Sequence, residues 1–485
     1  MNKNLTALSP ALVWKHFAAI CQVPHPSHHE ELIRKYVVEF AAEHSLYCHV
    51  DAGNNIYIRK EATPGMENKK GIILQAHLDM VPQKNNDKVF NFETDPIEAY
   101  IDGDWVTANG TSLGADNGIG AAAILAVLED TTICHGPIEA LFTATEETGM
   151  DGAFSLERNM LQGEIMLNLD SETEGELYVG CAGGMDASIT LPYEEVPAPA
   201  GYKPYLLEVK GLNGGHSGIQ ISSQFANANR KLFRLLLTSP VEVLLASVDG
   251  GGLRNAIPRE ATAVVLVKEQ DAETFEQSVK MFEKILIAEY ANIENGVSVT
   301  ATPTEMPKAI IPADVSSRLA RAVVGAPNGV VKMSVAMEGL VQTSSNLARV
   351  VSNGSEVKVH CLLRSSSGSE KRALGAAIKG VFELAGAQVE LSGDYDGWLP
   401  NMESPILHAM LSSYEQLYGR RPAVMAIHAG LECGIIGGKY EGLDMISFGP
   451  TISSPHSPDE RVEIASVAKF YEFLLHTLKN APVKE

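Results

Sequence analysis

"IILQAHLDM", residues 72–80, starts as a buried strand and ends with His77 and Asp79 set two positions apart. Side chains at i and i+2 of a strand point to the same side. The imidazole and the carboxylate are therefore predicted to enter one space, as a metal ligand and the acid that orients it would. A lone histidine at a strand end is more often an ordinary surface or core residue. The pair gains weight only if neighbouring strands also end in acids or histidines.

They do. Upstream, Ser27 and Glu30 form a capping-box pattern before a helical stripe of Leu32, Tyr36 and Phe40, and "CHVDAGNNIYIRK" (48–60) reads as a hairpin. Downstream come "GADNGIG" (114–120) and a small apolar helix, "AAAILAVLED" (121–130). The strand "IEALFTAT" (138–145) ends at Glu146-Glu147, and "EIMLNLD" (164–170) ends at Asp170. Apolar strands alternating with helical segments predict an α/β fold with a mixed sheet flanked by helices, and such sheets bind ligands beyond the carboxyl ends of their strands.

From 187 to 395 the texture changes to alternating strands and longer amphipathic helices without acidic strand ends. Here "YLLEVKGL", "NANRKLFRLLL", "ATAVVLVKE" and "EQSVKMFEKILIAEY" are followed by a similar series, "VSSRLARAVV", "VQTSSNLARVVS", "EVKVHCLLRSS" and "KRALGAAIKGVFELAG". The reading is an inserted α+β lid domain with an internal duplication and an antiparallel sheet covered by helices. It interrupts a catalytic domain formed by 1–186 and 396–485, as insertion at a surface loop allows.

Composition narrows the function. A chain of 485 residues is too long for one ordinary core, and its apolar share of 45% is that of a soluble globular protein. The formal charge, 38 basic minus 60 acidic residues, is -22, which disfavours nucleic acid and anionic membrane as partners. The opening residues lack a signal-peptide pattern and the longest apolar runs are too short to span a bilayer, so a cytoplasmic protein is expected. Six scattered cysteines without a C-x-x-C argue against a disulfide framework and a thiolate metal site. Any metal would be held by histidine and carboxylate.

The candidates in chain order are His77 with Asp79, Asp116, Glu146 and Glu147, Asp170, and His456 in "SPHSPD". Imidazole and carboxylate are ligands for Zn, Co or Mn. Five ligands exceed what one open catalytic site needs, but they suit two metals sharing a bridging carboxylate at about 3.5–4 Å. In the adjacent pair Glu146-Glu147, one acid can bind metal while the other holds the nucleophilic water.

At this point a resemblance becomes specific. "QAHLDMVPQ", "TSLGADNGIG", "TATEETGMDGA", "LNLDSETEGELYVGCAGG", "GGHSG", "RNAIPRE", "IHAGLECG" and "GPTISSPHSPDERV" resemble the bacterial aminoacyl-histidine dipeptidases (Xaa-His dipeptidase, peptidase D) across essentially the whole chain. These are cytosolic members of a two-metal peptidase family that also holds carnosinases, N-acyl-amino-acid amidohydrolases and glutamate-releasing carboxypeptidases. The resemblance implies two divalent metal ions, zinc first and cobalt or manganese as alternatives. One is held by His77, Asp116 and Asp170 and the other by Asp116, Glu147 and His456, with Asp116 as the bridge. It implies that Asp79 fixes the His77 tautomer, that Glu146 is the general base for a metal-bridging hydroxide, and that the Asp116-Asn117 peptide is cis.

His216 in "GGHSG" is implied as an oxyanion donor, and Asn255 and Arg364 as a clamp on the substrate carboxylate. His428 and Glu432 are implied to line the pocket for the substrate amine. The stretch "PHPSHHE" (24–30) is read as only a loop and a helix cap, despite its three histidines. The expected reaction is metal-dependent hydrolysis of unblocked dipeptides, including Xaa-His dipeptides. The alternatives are an N-acyl-amino-acid amidohydrolase or carboxypeptidase with the same metal site and, more remotely, a non-catalytic metal-binding protein. A homodimer through the inserted domain is one reading of the duplication; a lid complete within one chain is the other.

Overall fold

The computed structural model describes residues 2–484, which divide into two compact units. Of these residues, the first unit comprises 2–180, 400–426 and 431–484, and the second 181–399 and 427–430. The sequence-based boundaries were 186/187 and 395/396.

The first unit is built on an eight-stranded sheet. Its order is Tyr47–Val50, Ile56–Lys60, Ile138–Thr143, Ile72–His77, Ile165–Asn168, Asp444–Ser447, Glu176–Cys181, Ala423–Ile427. The four middle strands, from Ile138–Thr143 to Asp444–Ser447, are mutually parallel. Every residue of Ile72–His77, Ile138–Thr143 and Ile165–Asn168 is buried, as befits parallel strands covered on both faces. The helix Ala115–Glu129 shows the same logic. It is buried all round from Ala115 to Leu128, so it has no polar stripe, and its small residues admit close neighbours. Gly118 is one such place: a Cβ there would sit 3.2 Å from the ring of Phe17, on the helix Ala11–Ile20. Fully burying a side chain such as Phe17 stabilises by roughly 1.5–3 kcal/mol.

Two local readings are corrected. The first strand ends at His77, so Asp79 lies in the loop beyond it and reaches the histidine through the turn rather than through strand alternation. The helix Glu31–Glu43 carries no capping box: neither Ser27 nor Glu30 caps it, because both side chains are engaged elsewhere.

The second unit contains a nine-stranded sheet that is antiparallel throughout. One half runs Ser298–Pro303, Tyr202–Lys210, Ala261–Lys268, Val243–Gly251; the other runs Gln388–Tyr395, Gly183–Pro192, Glu356–Ser365, Val341–Ser352. Val243–Gly251 and Val341–Ser352 pair at the centre, and Gly329–Met333 adds to the latter. In each half a helix precedes the central strand and another precedes the outer one: Ala228–Thr238 and Ala272–Glu289, then Ala313–Gly325 and Gly368–Leu384. The slight likeness between the two halves of the sequence thus corresponds to one βαββαβ pattern used twice. Tyr205, Phe233, Phe275 and Phe382 are buried in the core on the helical side. Among the described residues no helix is long and apolar enough to cross a membrane.

Candidate metal centre and its supports

The parallel strands of the first unit deliver their acids and histidine to one edge. His77 ends the central strand. Glu146 and Glu147 follow Ile138–Thr143, and Asp170 follows Ile165–Asn168. Asp116 stands at the start of the Ala115–Glu129 helix, in a non-helical conformation and with a cis bond to Asn117. His456 comes from the loop between Ile452–Ser453 and Arg461–Glu463.

These groups converge. His77 Nε2 lies 3.2 Å from Asp116 Oδ1 and 3.3 Å from Asp170 Oδ1, while His456 Nε2 lies 3.1 Å from Asp116 Oδ2 and 2.9 Å from Glu147 Oε2. Asp116 offers one oxygen to each histidine, which is the placement of a bridge. Three sets have ligand atoms within 4.8 Å of one another: His77, Asp116 and Asp170; Asp116, Glu147 and His456; and His77, Glu146 and Glu147.

The electrostatics ask for cations. Burial pushes the Asp170 carboxyl up to about 6, with the nearby Asp116 and Glu147 adding to the rise, and it drives Glu146 well above the usual range. Burial disfavours charge on His77, yet Asp170, Asp116 and Asp79 outweigh it and hold the imidazolium well above its ordinary value. Hydrogen bonds to Asp116 and Glu147 raise His456 to about 11. Protonated imidazoles thus balance acids that would otherwise repel one another. Divalent cations would do so more fully, releasing the imidazoles as neutral ligands. Glu147 Oε1 is buried with no hydrogen-bond partner, a free acceptor within the cluster. Nitrogen and oxygen donors in this number fit two divalent metals of the zinc, cobalt or manganese kind.

A second layer holds this arrangement. His77 Nδ1 is 3.0 Å from the Asp79 backbone carbonyl and 3.4 Å from its Oδ1, so Nε2 is left facing the acids. The Asp79 carboxylate also accepts the backbone N–H groups of Glu146 at 2.9 Å and Glu147 at 3.2 Å and the Ser27 hydroxyl at 2.8 Å. Burial opposes its charge, but His77 and these donors hold it down at about 2. Glu460 accepts four consecutive backbone N–H groups, those of Leu113, Gly114, Ala115 and Asp116, at 2.7–3.2 Å. It thereby ties the His456 loop to Asp116. Asn117 Nδ2 donates to Asp170. Glu432 accepts Gln75 Nε2 at 2.6 Å and Thr143 Oγ1 at 2.8 Å, while its Oε1 is buried without a partner; burial raises it to about 7.

Sequence reading missed Ser27, Glu30 and Glu460 as supports. Only Glu460 had a signal, its place four residues after His456 in "SPHSPDE".

The second unit gathers the other candidates. His216 lies on the short strand Gly215–His216, and its Nδ1 accepts the N–H groups of Gly218 at 3.1 Å and Ile219 at 3.2 Å. The neutral ring therefore carries its proton on Nε2, as a donor. Asn255 is exposed, and its carbonyl accepts the Ser217 N–H at 2.8 Å. Arg364 is buried near the end of Glu356–Ser365, and its Nε has no partner. His428 Nε2 is 2.7 Å from Ser344 Oγ. Burial and then Arg364 push His428 down to about 3, and the same two causes lower His216. A concavity of about 860 Å³ is lined by Gly215, His216, Gly252, Asn255 and Arg259.

Residues 73–480 match the family described as Peptidase family M20/M25/M40. The cytosol non-specific dipeptidase of Escherichia coli (strain K12) is 46% identical over 483 residues, 99% of this chain and 100% of that one. The crystal structure of aminoacylhistidine dipeptidase from Vibrio alginolyticus superposes with a TM-score of 0.96 at 45% identity, over 99% of each chain. Aminopeptidase PepT from Bacillus cereus superposes with a TM-score of 0.58 at 15% identity, over 98% of this chain and 99% of that one, a likeness of fold alone.

Proposed function

The chain belongs to peptidase family M20/M25/M40, and on that premise we propose that it is a metal-dependent dipeptidase that hydrolyses unblocked dipeptides, Xaa-His dipeptides among them. The observation that carries this reading is Asp116, whose two carboxylate oxygens each meet a different histidine, in a chain 46% identical to a named dipeptidase along its whole length.

His77, Asp116 and Asp170 would hold one divalent cation and Asp116, Glu147 and His456 the other; when bound, such a pair supplies Lewis acidity and makes water a nucleophile at neutral pH. Glu146 takes the proton of the attacking water and passes it to the leaving amine. Asp79 keeps His77 in the tautomer that leaves Nε2 free, and it holds the backbone on which Glu146 sits. His216 donates its Nε2 proton to the oxyanion as it forms. Arg364, whose planar fork suits a carboxylate, holds the substrate carboxyl group with Asn255. His428 and the free oxygen of Glu432 receive the substrate ammonium. Zinc is the first choice of metal, with cobalt or manganese as alternatives.

A homodimer through the second unit and a cytoplasmic location belong to the same proposal. The first is supported by the strand Gly329–Met333, which among the described residues pairs with Val341–Ser352 alone and exposes Val331 and Met333, with Val335 just beyond. The second is supported by the relative's description as a cytosol enzyme.

Comparing kcat/KM for a Xaa-His dipeptide, its N-acetyl form and a tripeptide, with defined metals, tests the function. The free dipeptide should lead, because a site built to pair a charged terminus leaves a buried polar group unpaired with the wrong substrate, at a cost of about 1–3 kcal/mol. Equal cleavage of the acetylated compound would replace this reading with that of an N-acyl-amino-acid amidohydrolase. No hydrolysis with any metal would leave a non-catalytic metal-binding protein.

A further inference from the structure

The stretch "PHPSHHE" (24–30) has no part in the function just described, yet it grips the turn bearing Glu146 from three sides. The Ser27 hydroxyl donates to Asp79 Oδ2 at 2.8 Å, and the same carboxylate accepts the N–H groups of Glu146 and Glu147. Glu30 Oε1 accepts the Thr145 hydroxyl at 2.7 Å, and His28 Nε2 lies 3.0 Å from Thr148 Oγ1. Glu30 and Thr145 are both buried. The segment is itself laced to the loop after His77: the Met80 N–H donates to the His25 carbonyl and the Ser27 N–H to the Met80 carbonyl, each at 3.2 Å.

Thr145 is the reason this grip matters. Its φ of 53° lies in the left-handed region, a genuine outlier for a β-branched residue. A conformation of that kind persists only where surrounding contacts hold it. Here it turns the chain sharply after Ile138–Thr143, so that Glu146 and Glu147 present their N–H groups to Asp79. Glu30 meets the Thr145 side chain at that turn.

We propose that Glu30, acting through the Thr145 hydroxyl and assisted by Ser27 on Asp79, is a positioning residue that sets where the Glu146 carboxylate stands. This rests on the reading of Glu146 as general base. A base must lie within hydrogen-bond reach of the proton it takes, and a displacement of about 1 Å can cost about 10²-fold in rate.

The test uses the zinc-loaded full chain with Gly-His as substrate, and reads kcat, KM, bound zinc by elemental analysis, and thermal unfolding. Thr145→Val exchanges the hydroxyl for a methyl and keeps the branch. It should lower kcat by about 10–100-fold, with KM within about twofold and zinc content unchanged. Thr145→Ser, which keeps the hydroxyl, should recover most of the loss. Glu30→Ala should behave as Thr145→Val does, and the double variant should be little worse than either single one, since both remove one shared bond. Near-normal kcat in Thr145→Val, additive losses in the double variant, or zinc lost in step with activity would each overturn the proposal. Should Glu30→Ala fail to fold, the Thr145 pair decides alone. A Thr145→Val chain that unfolds while Thr145→Ser is stable would make the bond a folding requirement, and that too overturns it. Full activity in Glu146→Gln would instead sink the underlying reading of the base; an inactive Glu146→Gln beside a normal Thr145→Val would sink only this inference.

Discussion

The acid cluster of the first unit and the cluster of His216, Arg364 and His428 in the second leave different kinds of polar atom without partners. At the centre of the first unit the spare atoms are acceptors, Glu147 Oε1 and Glu432 Oε1, among acids that burial and mutual repulsion push upward. In the cluster of the second unit the spare atoms include a donor, Arg364 Nε, beside two histidines that burial and the guanidinium keep neutral. A buried polar atom without a partner costs about 1–3 kcal/mol, so each unit carries a standing demand for a ligand. The first demands cations; the second demands an anion.

The sharpest way to break the comparison is to remove the bridge. Asp116→Ala withdraws an oxygen from both histidines at once, so both metals and more than about 10⁴-fold of activity should go together, as judged by elemental analysis and kcat/KM. One metal retained at full affinity would mean that Asp116 is not shared. Glu146→Gln should separate binding from chemistry: metal content stays at two per chain while kcat falls by about 10²–10⁴ or more. Near-normal turnover would remove Glu146 from the role of base.

The second unit should answer differently. His216→Ala is expected to lower kcat by about 10²–10³, as losing an oxyanion donor does. Arg364→Ala should also raise KM, by about 10–100-fold, the worth of a charged hydrogen bond. Both should keep their metals. Unchanged kinetics in the two variants would leave the cluster without a part in catalysis.

The smallest effect concerns stability without metal. Glu432 has a folded value near 7 because of burial, above its ordinary value of 4.5. An acid whose folded pKa is raised favours the folded state when protonated, so its contribution is present below about pH 4.5 and is lost as pH climbs towards 7. Glu432→Gln should therefore raise the Tm of metal-free protein by about 2–4 °C at pH 7.5 and change little at pH 4.5. An equal shift at both pH values would trace the effect to packing rather than charge.

Much of the centre was legible because its members sit at ends of strands that the sequence itself marks. The apolar runs before His77, Glu146 and Asp170 identify three buried parallel strands, and ligands of such sheets collect at their carboxyl ends. Asp116 and His456 were harder, since neither ends a strand of that sheet, and the resemblance to known dipeptidases supplied their roles. The supports were illegible. Ser27 meets Asp79 across 52 residues, and Glu460 meets Leu113 across 347. "S-H-H-E" before a helix reads locally as a cap, and local reading has no term for a carboxylate 50 residues away competing for the same hydroxyl. The tertiary partner won: Asp79 is buried and needs donors, whereas the N–H groups of a helix start can be satisfied by water.

By itself, then, the sequence determined the alternation of strands and helices, a change of texture near 187 and 395, a slight likeness between the halves of the stretch between them and the residue types of the site, since periodicity, composition and residue type are properties of short stretches. Only the tertiary structure decided that Ile72–His77 lies between Ile138–Thr143 and Ile165–Asn168, which brings His77, Glu146, Glu147 and Asp170 to one edge. It alone decided which oxygen of Asp116 faces which histidine, that His216 holds its proton on Nε2, and that Glu30 meets Thr145. The reason is physical: strand order and hydrogen-bond partnership are settled by packing and by competition among buried polar groups across the whole fold, and no local pattern in the chain records the outcome of that competition.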